Sequence, residues 1–381
     1  MVSTNNKPVR LLVVDDSTLA RKAIISSLAP FQQIQIVGQA ADAYAARDKI
    51  LELRPDIITL DIEMPRMDGL TFLKAIMKHR PMPVVIISSL TKAGSEKALE
   101  ALHLGAVDVM EKPTGSQAPR LDGRRLADKI IAAAGARLRQ TRDEAAIQTP
   151  AAVARPAPSL DRQVFSPRKL ILIGASAGGT EALKAVLASM QPGLPGICIV
   201  QHIPPYFSKA LADRLNKVCP MEVREAKTGD VVKPGLALIA PGGWHMLVKW
   251  QGSQYTVELN EGPQVHFQRP SVDILFKSAV RAGAGPHVAA ALLTGMGSDG
   301  AEGLLRLREA GAATIAQNEE TCVIFGMPRE AIRLGAAQRV LPLDKIGEQL
   351  SSLISKSPTR PPLAAVEQRS EDREQRTDTR I

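Results

Sequence analysis

Short apolar runs alternate with segments of helical spacing over the first 115 residues of the chain. The runs fall at residues 10–14, 34–37, 57–60, 84–87 and 107–110, and the helical spacing is clearest at 17–28 and 70–78. Strands buried on both faces read as continuous apolar runs, and strands that alternate with helices form parallel sheets. The pattern therefore predicts a flavodoxin-like α/β domain with five parallel strands, and Ser17 is placed to cap its first helix.

A second α/β pattern begins near residue 169 and predicts a Rossmann-like domain. Its apolar strands are expected at 170–173, 197–200, 236–240 and 288–293. A helix is expected at 124–138, and residues 140–166 are rich in Ala and Pro without periodicity, as in linkers. The polar tail lacks a pattern that builds a core. The predicted domain bounds are 8–125 for the first domain, 126–167 for the linker, 168–356 for the second domain and 357–381 for a disordered tail.

Composition and charge narrow the class of protein. A chain of 381 residues with 45% hydrophobic side chains can bury two cores. The N-terminus has no signal-peptide pattern, and no apolar run approaches the ~20 residues that span a bilayer, so we expect a cytoplasmic protein without membrane spans. Cys198, Cys219 and Cys322 lie far apart without a CxxC pair, which argues against disulfides or zinc. The net charge of +9 is concentrated in residues 117–169 rather than on a recognition helix, so we expect no nucleic acid partner.

Three acidic residues follow predicted strands of the first domain. Asp15 and Asp16 follow the first strand and Asp61 follows the third. Ligands of open α/β sheets bind outside the carboxyl ends of the strands, and clustered carboxylates suit Mg²⁺. Ser88 and Lys112 end the fourth and fifth strands. Taken singly, the aspartates are also ordinary helix caps and the lysine an ordinary surface charge.

These residues together resemble a response-regulator receiver domain. The resemblance is carried by Asp15–Asp16, the stretch DIEMPRMDG at 61–69, Ser88 and Lys112–Pro113. It implies that Asp61 accepts a phosphoryl group from a histidine kinase, with Mg²⁺ held by Asp15, Asp16 and Asp61. It also implies that Lys112 pairs with the phosphate and that Ser88 contacts it when the domain switches. Val109 stands where many receivers carry an aromatic switch residue.

A serine lies at the first strand-to-helix turn of the second domain. The run KLILIGASAGG at 169–179 places Ser176 in a turn of small residues ahead of a helix, whose free N–H groups favour negative charge. Residues 174–178 fit GxSxG, which suits a nucleophile. A phosphate-binding loop is the alternative, although the segment matches neither GxxxxGK[ST] nor GxGxxG.

A histidine and an aspartate follow two other predicted strands. His202 follows the strand at 197–200, and Asp299 lies in the turn TGMGSDG after the strand at 288–293. Strand ends of a parallel sheet share one edge, so Ser176, His202 and Asp299 are expected to form a nucleophile, base and orienting acid. The competing interpretations are that the serine only caps a helix and the aspartate only forms a turn. His245 is a competing base, whereas His287 precedes a strand and is expected at the opposite edge.

Three long motifs resemble the catalytic domain of the chemotaxis protein-glutamate methylesterases, the CheB family. They are GASAGG, QHIPPYFSKALADRLN and LLTGMGSDGAEGL. The resemblance implies that Ser176 is the nucleophile, His202 the general base and acid, and Asp299 the residue that orients the imidazole. Met296 matches a residue of the oxyanion hole, and the amide of Ala177 is our second candidate donor. The segment at 267–271 also resembles a family segment, which makes Arg269 and Ser271 candidate substrate contacts.

The two resemblances imply one enzyme. It demethylates glutamate methyl esters, and can deamidate glutamines, on methyl-accepting chemotaxis receptors, needing Mg²⁺ in the receiver and no cofactor in the catalytic domain. We further expect the receiver to shield the catalytic cleft until Asp61 is phosphorylated. The rival functions are a DNA-binding response regulator, which needs a basic recognition helix, and an inactive receptor adaptor.

Overall fold

The first α/β unit is a five-stranded parallel sheet covered by helices on both faces. The computed structural model describes residues 7–88, 91–112, 122–138 and 165–355. The strands are β1 (Val9–Val14), β2 (Ile34–Ala40), β3 (Ile57–Asp61), β4 (Val84–Ser88) and β5 (Asp108–Glu111), in the order β2-β1-β3-β4-β5. The helices are α1 (Thr18–Leu28), α2 (Ala43–Leu53), α3 (Gly69–His79), α4 (Lys92–His103) and α5 (Gly123–Ala134). The five predicted strands and the flavodoxin-like fold are confirmed.

Each helix of this unit begins at a side-chain cap. Ser17 accepts a hydrogen bond from the Ala20 N–H, as predicted. Asp or Thr side chains cap the other four helices at positions 42, 68, 91 and 122. Such caps satisfy N–H groups that have no partner within the helix, so the polar residues between strands fix where each helix starts.

Helix α5 continues the first unit past residue 125, the predicted end of the domain. Leu126, Ala127, Ile130 and Ala133 are buried on the face of the sheet that also receives α1. The helix ends at Ala134, short of the predicted residue 138. Part of the predicted linker and the whole predicted tail lie outside the described residues.

The second unit is built on a seven-stranded parallel sheet. Its strands run in the order β15-β14-β13-β6-β7-β10-β8. They are β6 (Leu170–Ala175), β7 (Ile197–Gln201), β8 (Glu222–Glu225), β10 (Leu236–Ile239), β13 (Val288–Leu292), β14 (Ala313–Gln317) and β15 (Arg339–Leu341). A separate sheet of β9 (Val231–Val232), β11 (His245–Gln251) and β12 (Gln254–Asn260) is antiparallel. The helices are α6 (Gly179–Ala188), α7 (Phe207–Val218), α8 (Val272–Arg281), α9 (Ala301–Glu309), α10 (Met327–Arg333) and α11 (Leu343–Ser355).

The two units pack directly against each other. Helix α4 of the first contacts α6 and α7 of the second, and one cluster of buried apolar side chains runs through both. Polar contacts flank it: His103 Nδ1 lies 3.2 Å from Glu181 Oε1, and Arg137 donates to Glu319 Oε1 at 2.8 Å. No helix within the described ranges is long and apolar enough to cross a membrane.

Candidate phospho-acceptor and active sites

The carboxyl ends of β1 and β3 bring the three predicted acidic residues together. The carboxylate oxygens of Asp15, Asp16 and Asp61 lie within 4.8 Å of one another. Asp15 and Asp61 are buried and Asp16 is exposed. Lys112 Nζ lies 2.9 Å from Asp61 Oδ2 and 3.0 Å from Asp15 Oδ2. Three carboxylates beside one ammonium leave an excess of negative charge, so the residues fit a divalent cation with oxygen ligands.

Burial and charge shift the pKa values in this cluster. Burial raises the pKa of Asp61 above its usual value; Lys112 opposes the shift and the charge of Asp15 adds to it. Burial lowers the pKa of Lys112, but its hydrogen bonds to Asp61 and Asp15 outweigh this, and the net pKa is raised. The lysine is therefore a permanent cation at the acceptor carboxylate.

Two further residues of the receiver site lie at the end of β4 and at the start of α3. Ser88, at the end of β4, is buried and its hydroxyl points to the Gly94 carbonyl at a long 3.5 Å. Gly69 allows the loop after β3 to close, because a Cβ there would lie 2.2 Å from the Asp61 carbonyl oxygen. The glycine of the DIEMPRMDG stretch is thus a steric requirement of the site.

The ends of β6, β7 and β13 bring the predicted triad residues to one edge of the second sheet. His202 Nε2 lies 2.7 Å from Asp299 Oδ2, and both side chains are buried. Ala175 pairs with Gln201 in the β6–β7 register, and the His202 N–H donates to the Ala175 carbonyl at 3.0 Å. Ser176 and His202 therefore follow neighbouring strand ends.

The nucleophile and the base share a small space. Ser176 and His202 line the same cavity, whose volume is only about 10 Å³. The Nδ1 atom of His202 is buried without a hydrogen-bond partner in the described part of the chain. Since Nε2 faces Asp299, Nδ1 is the ring atom left to take a proton from Ser176.

Asp299 is saturated with hydrogen bonds. Besides His202, its carboxylate accepts from Ser271 Oγ at 2.7 Å, from the Val272 N–H at 2.7 Å and from the Asp273 N–H at 3.0 Å. Burial raises its pKa, but the hydrogen bond and charge of His202, with the bonds from Ser271 and Asp273, reverse the shift and lower the pKa. The acid is held ionised and fixed in orientation.

The competing base is already engaged on both ring nitrogens. His245 Nε2 donates to the Pro263 carbonyl at 2.9 Å, and its Nδ1 accepts from the Ser271 N–H at 3.2 Å. Its ring is therefore the neutral tautomer protonated on Nε2. His287 precedes β13, as predicted, and so lies at the other end of that strand.

Two residues named as candidate substrate contacts make hydrogen bonds within the protein. Ser271 is fully buried, caps α8 and donates to Asp299. Arg269 donates to the carbonyls of Glu261 and Gly262 at 2.8 and 3.0 Å. The sequence signal for the first role was present, since a serine directly before a helical pattern is a typical N-cap.

Backbone amides suited to an oxyanion lie beside Ser176. Within the described ranges, the N–H groups of Ala177 and Met296 donate to no protein acceptor. Gly295, next to Met296, packs so closely that a Cβ there would lie 2.5 Å from Ser176 Cβ. Met296 also lines a cavity of about 400 Å³ at the boundary between the units, with Arg137, Glu319 and Arg329 among its walls.

The first unit covers the catalytic cavity. Leu102, Val107, Asp108 and Val109 form the part of its lining that comes from the first unit, and the Val107 carbonyl accepts from the Gly178 N–H at 3.3 Å. A space of about 10 Å³ holds at most a single water. Val109, at the position of the usual aromatic switch, thus lines the same cavity as Ser176.

Comparison with known proteins identifies the family. Residues 171–350 match the model of the CheB methylesterase family, and residues 11–121 match the response regulator receiver domain. A protein-glutamate methylesterase/protein-glutamine glutaminase of Syntrophus aciditrophicus is 47% identical over 346 residues, 91% of this chain and 99% of that protein. The chain belongs to the CheB methylesterase family.

Other members are similarly close. A Pseudomonas aeruginosa protein-glutamate methylesterase/protein-glutamine glutaminase is 48% identical over 345 residues, 90% of this chain and 96% of that protein. The crystal structure of the Thermotoga maritima CheB methylesterase catalytic domain is 39% identical, with a TM-score of 0.47, and covers 49% of this chain and 98% of that one. The first relatives are thus matched along nearly their whole length.

Proposed function

We propose that this CheB family member is a serine hydrolase that removes methyl esters from glutamate side chains, with its receiver domain as the switch. The observation that carries the proposal is the imidazole of His202, held by Asp299 through Nε2 while its unpartnered Nδ1 shares a cavity with Ser176. The relatives named protein-glutamate methylesterase/protein-glutamine glutaminase support the substrate class.

The proposed chemistry has two halves. Ser176 Oγ attacks the γ-carbonyl carbon of the glutamyl methyl ester while His202 Nδ1 takes the hydroxyl proton. The carbonyl oxygen becomes an oxyanion that the N–H groups of Ala177 and Met296 stabilise. The intermediate expels the methoxy group, which takes the proton from His202 and leaves as methanol.

A water molecule then completes the reaction. It loses a proton to His202 and attacks the acyl carbon on Ser176. The bond from that carbon to Ser176 Oγ then breaks, His202 returns the proton to Oγ, and glutamate is released. With glutamine in place of the ester, the leaving group is ammonia and the second half is the same, which accounts for deamidation.

The receiver site is proposed to take the phosphoryl group on Asp61. A divalent cation bound there supplies charge that offsets the phosphoryl oxygens. Asp15, Asp16 and Asp61 are the residues that would hold it, and Lys112 is placed to pair with the acyl phosphate. Ser88, at the end of β4, is the proposed switch contact.

We propose that the receiver domain regulates the enzyme by covering the cavity that holds Ser176 and His202. Val107 and Val109 line the cavity and belong to the segment that ends just before Lys112. A change at the phospho-acceptor site is therefore transmitted along β5 to the residues of the first unit that cover Ser176. The closed space of about 10 Å³ has no room for a glutamyl ester. Phosphorylation would have to separate the units for turnover.

The proposed partners follow from the family. The substrates are methyl-accepting chemotaxis receptors, reached at their cytoplasmic portion, and the phosphodonor is a chemotaxis histidine kinase. We propose no nucleic acid partner, because the effector is a hydrolase fold rather than a basic recognition element. The protein is proposed to act in the cytoplasm.

Methanol release from methylated receptor membranes tests the proposal. The unaltered protein, Ser176→Ala and a chain lacking residues 1–150 are assayed with and without a small phosphodonor. We expect the serine variant to lose activity by about 10⁴-fold or more and the truncated chain to exceed the basal rate. Equal rates of methanol release for Ser176→Ala and the unaltered protein would instead favour a receptor adaptor without catalytic function. An unchanged rate on truncation would reject the proposal that the receiver shields the cavity.

A further inference from the structure

Three aromatic side chains stand exposed around the catalytic edge of the second unit. Tyr206 is 63% exposed, Phe267 is 62% exposed and Trp244 is 38% exposed. The chain is only 3% aromatic, and large aromatic side chains usually contribute to cores or interfaces. We call Tyr206, Trp244 and Phe267 the aromatic rim.

The loops that carry the rim touch one another. A Cβ at Gly242 would lie 2.5 Å from Pro204, so the Trp244 loop packs tightly on the loop that leads to Tyr206. The Gly243 N–H donates to the Arg269 carbonyl at 3.0 Å, which ties the same loop to the Phe267 segment. Trp244 therefore lies in the middle loop of three adjoining ones.

The same loops hold the catalytic residues. Tyr206 follows His202 in the loop between β7 and α7, and Phe267 precedes Ser271, which donates to Asp299. Trp244 is adjacent to His245, whose ring accepts from the Ser271 N–H. Whatever lies on the rim is consequently next to the catalytic cleft.

Two rim residues adopt a backbone conformation that is unfavourable for bulky side chains. Tyr206 has φ +70° and Phe267 has φ +60°, both in the left-handed region. Bulky residues seldom adopt this region, and such positions concentrate at functional sites. Burial does not explain the strain, since both side chains are exposed.

The first unit leaves the rim open. The exposures are those of the closed protein, in which the Ser176 cavity is covered. In the described ranges, hydrogen bonds and ion pairs between the units involve Leu99, His103, Val107 and Arg137 of the first unit, and none involves a rim residue. The rim is thus accessible in the same arrangement that closes the cavity.

We infer that the aromatic rim docks an apolar stretch of the substrate protein next to the methyl-esterified glutamate. The inference rests on the proposed function. A γ-methyl ester offers few atoms for recognition, so most of the binding energy has to come from remote contacts. Exposed Trp and Tyr side chains are frequent anchors of protein interfaces, and the loops that carry this rim also carry His202 and Ser271. The closed protein therefore binds substrate that it does not yet cleave.

Trp244 itself reports the docking. The chain has two tryptophans, so Trp250→Phe leaves Trp244 as the sole tryptophan of the chain. This variant, combined with Ser176→Ala to prevent turnover, is titrated with membranes that contain a methylated receptor. We expect a saturable blue shift of the emission without a phosphodonor. No shift, or an equal shift with receptor-free vesicles of the same lipids, would overturn the inference.

Kinetics provides the second measurement. For Trp244→Ala and Phe267→Ala, we expect kcat/KM on methylated receptor membranes to fall about 10-fold relative to kcat/KM on a small glutamate γ-methyl ester, mainly through KM. The control is Tyr44→Ala, an exposed aromatic on α2 that lies in the other unit. An unchanged ratio in folded variants, or a rim that instead joins two copies of the chain in sedimentation, would overturn the inference.

The fluorescence experiment separates the two proposals. It needs no turnover, so a docking signal is read whether or not the protein is an esterase. If the unaltered protein cleaves both the methylated receptor and the small ester, and the rim variants keep the same ratio of the two kcat/KM values, only the docking role of the rim is rejected. An unaltered protein that cleaves neither ester would reject the proposed function.

Discussion

Two buried aspartates, one at the end of a parallel strand and one in the turn after another, have opposite surroundings. Asp299 accepts four hydrogen bonds, and His202 and its other donors lower its pKa below the usual value. Asp61 is held by Lys112, and burial with the nearby charge of Asp15 raises its pKa. The fold provides similar strand ends in both units, but different numbers of donors.

The difference matches the proposed tasks. A carboxylate that orients an imidazole works best when its oxygens are fixed by donors that do not react. A carboxylate that accepts a phosphoryl group has to keep an oxygen available for bond formation and for a cation. The full set of hydrogen-bond donors at Asp299 and the incomplete set at Asp61 therefore suit the same residue type to two different roles.

The strongest test removes the charge from the saturated site. Asp299→Asn keeps the side-chain shape but replaces an acceptor with a donor toward His202, which favours the wrong ring tautomer. We expect kcat for methanol release to fall by about 10⁴-fold. Asp61→Asn is the matched control, because it makes the same change at the other aspartate. Equal losses in the two variants would break the comparison.

A smaller effect is expected from removing one donor. Ser271→Ala deletes the 2.7 Å hydrogen bond to Asp299, and a bond to a charged group contributes about 1.5–3 kcal/mol. We expect kcat to fall roughly 10- to 100-fold, with rescue by Ser271→Thr. Ser278→Ala is the control: that hydroxyl is also buried on α8 but accepts from the Val248 N–H. A kcat loss as large in the control would mean a general effect of the helix.

A substitution at the phospho-acceptor site is expected to affect only the stimulation of methanol release by a phosphodonor. Asp61→Asn removes the phosphorylation site, so addition of a small phosphodonor should no longer stimulate methanol release, while the basal rate stays within about two-fold because the closed state remains. Phosphodonor titrations of both proteins measure this. Stimulation that persists in the variant would show that another residue takes the phosphoryl group.

Much of this arrangement follows from local sequence patterns. The strands β1, β3, β4, β6, β7 and β13 are continuous apolar runs, and the residues after them define both sites. Parallel topology then places those residues at one edge. Asp15, Asp61, Ser176, His202 and Asp299 could be predicted for that reason.

Other features have no such local signal. The strands β8 and β15 have only four and three residues, and the segments that form the antiparallel sheet of β9, β11 and β12 contain no long apolar run. The role of Ser271 depends on α8 starting beside the Asp299 loop, which is a tertiary contact. The closing of the cavity by Val109 depends on how two units pack, and periodicity within either unit does not encode it.

The smallest expected effect tests the sign of the two pKa shifts through stability. The folded-state pKa of Asp299 is lowered, so its contribution to stability is present above the unfolded value of about 3.9 and is lost as pH falls through the folded value. The folded-state pKa of Asp61 is raised, so in Mg²⁺-free buffer its ionisation costs stability as pH rises through that value.

Melting temperatures of the unaltered protein, Asp299→Asn and Asp61→Asn from pH 7 down to about pH 3 compare the two sites. We expect Asp299→Asn to be the less stable at neutral pH and to approach the unaltered protein as the acid limit is reached. Asp61→Asn should be the more stable at neutral pH, because it relieves a buried charge only partly paired with Lys112. Its advantage should shrink as Asp61 becomes protonated in the unaltered protein. Shifts of the same sign in both variants would mean that donor number does not distinguish the two carboxylates.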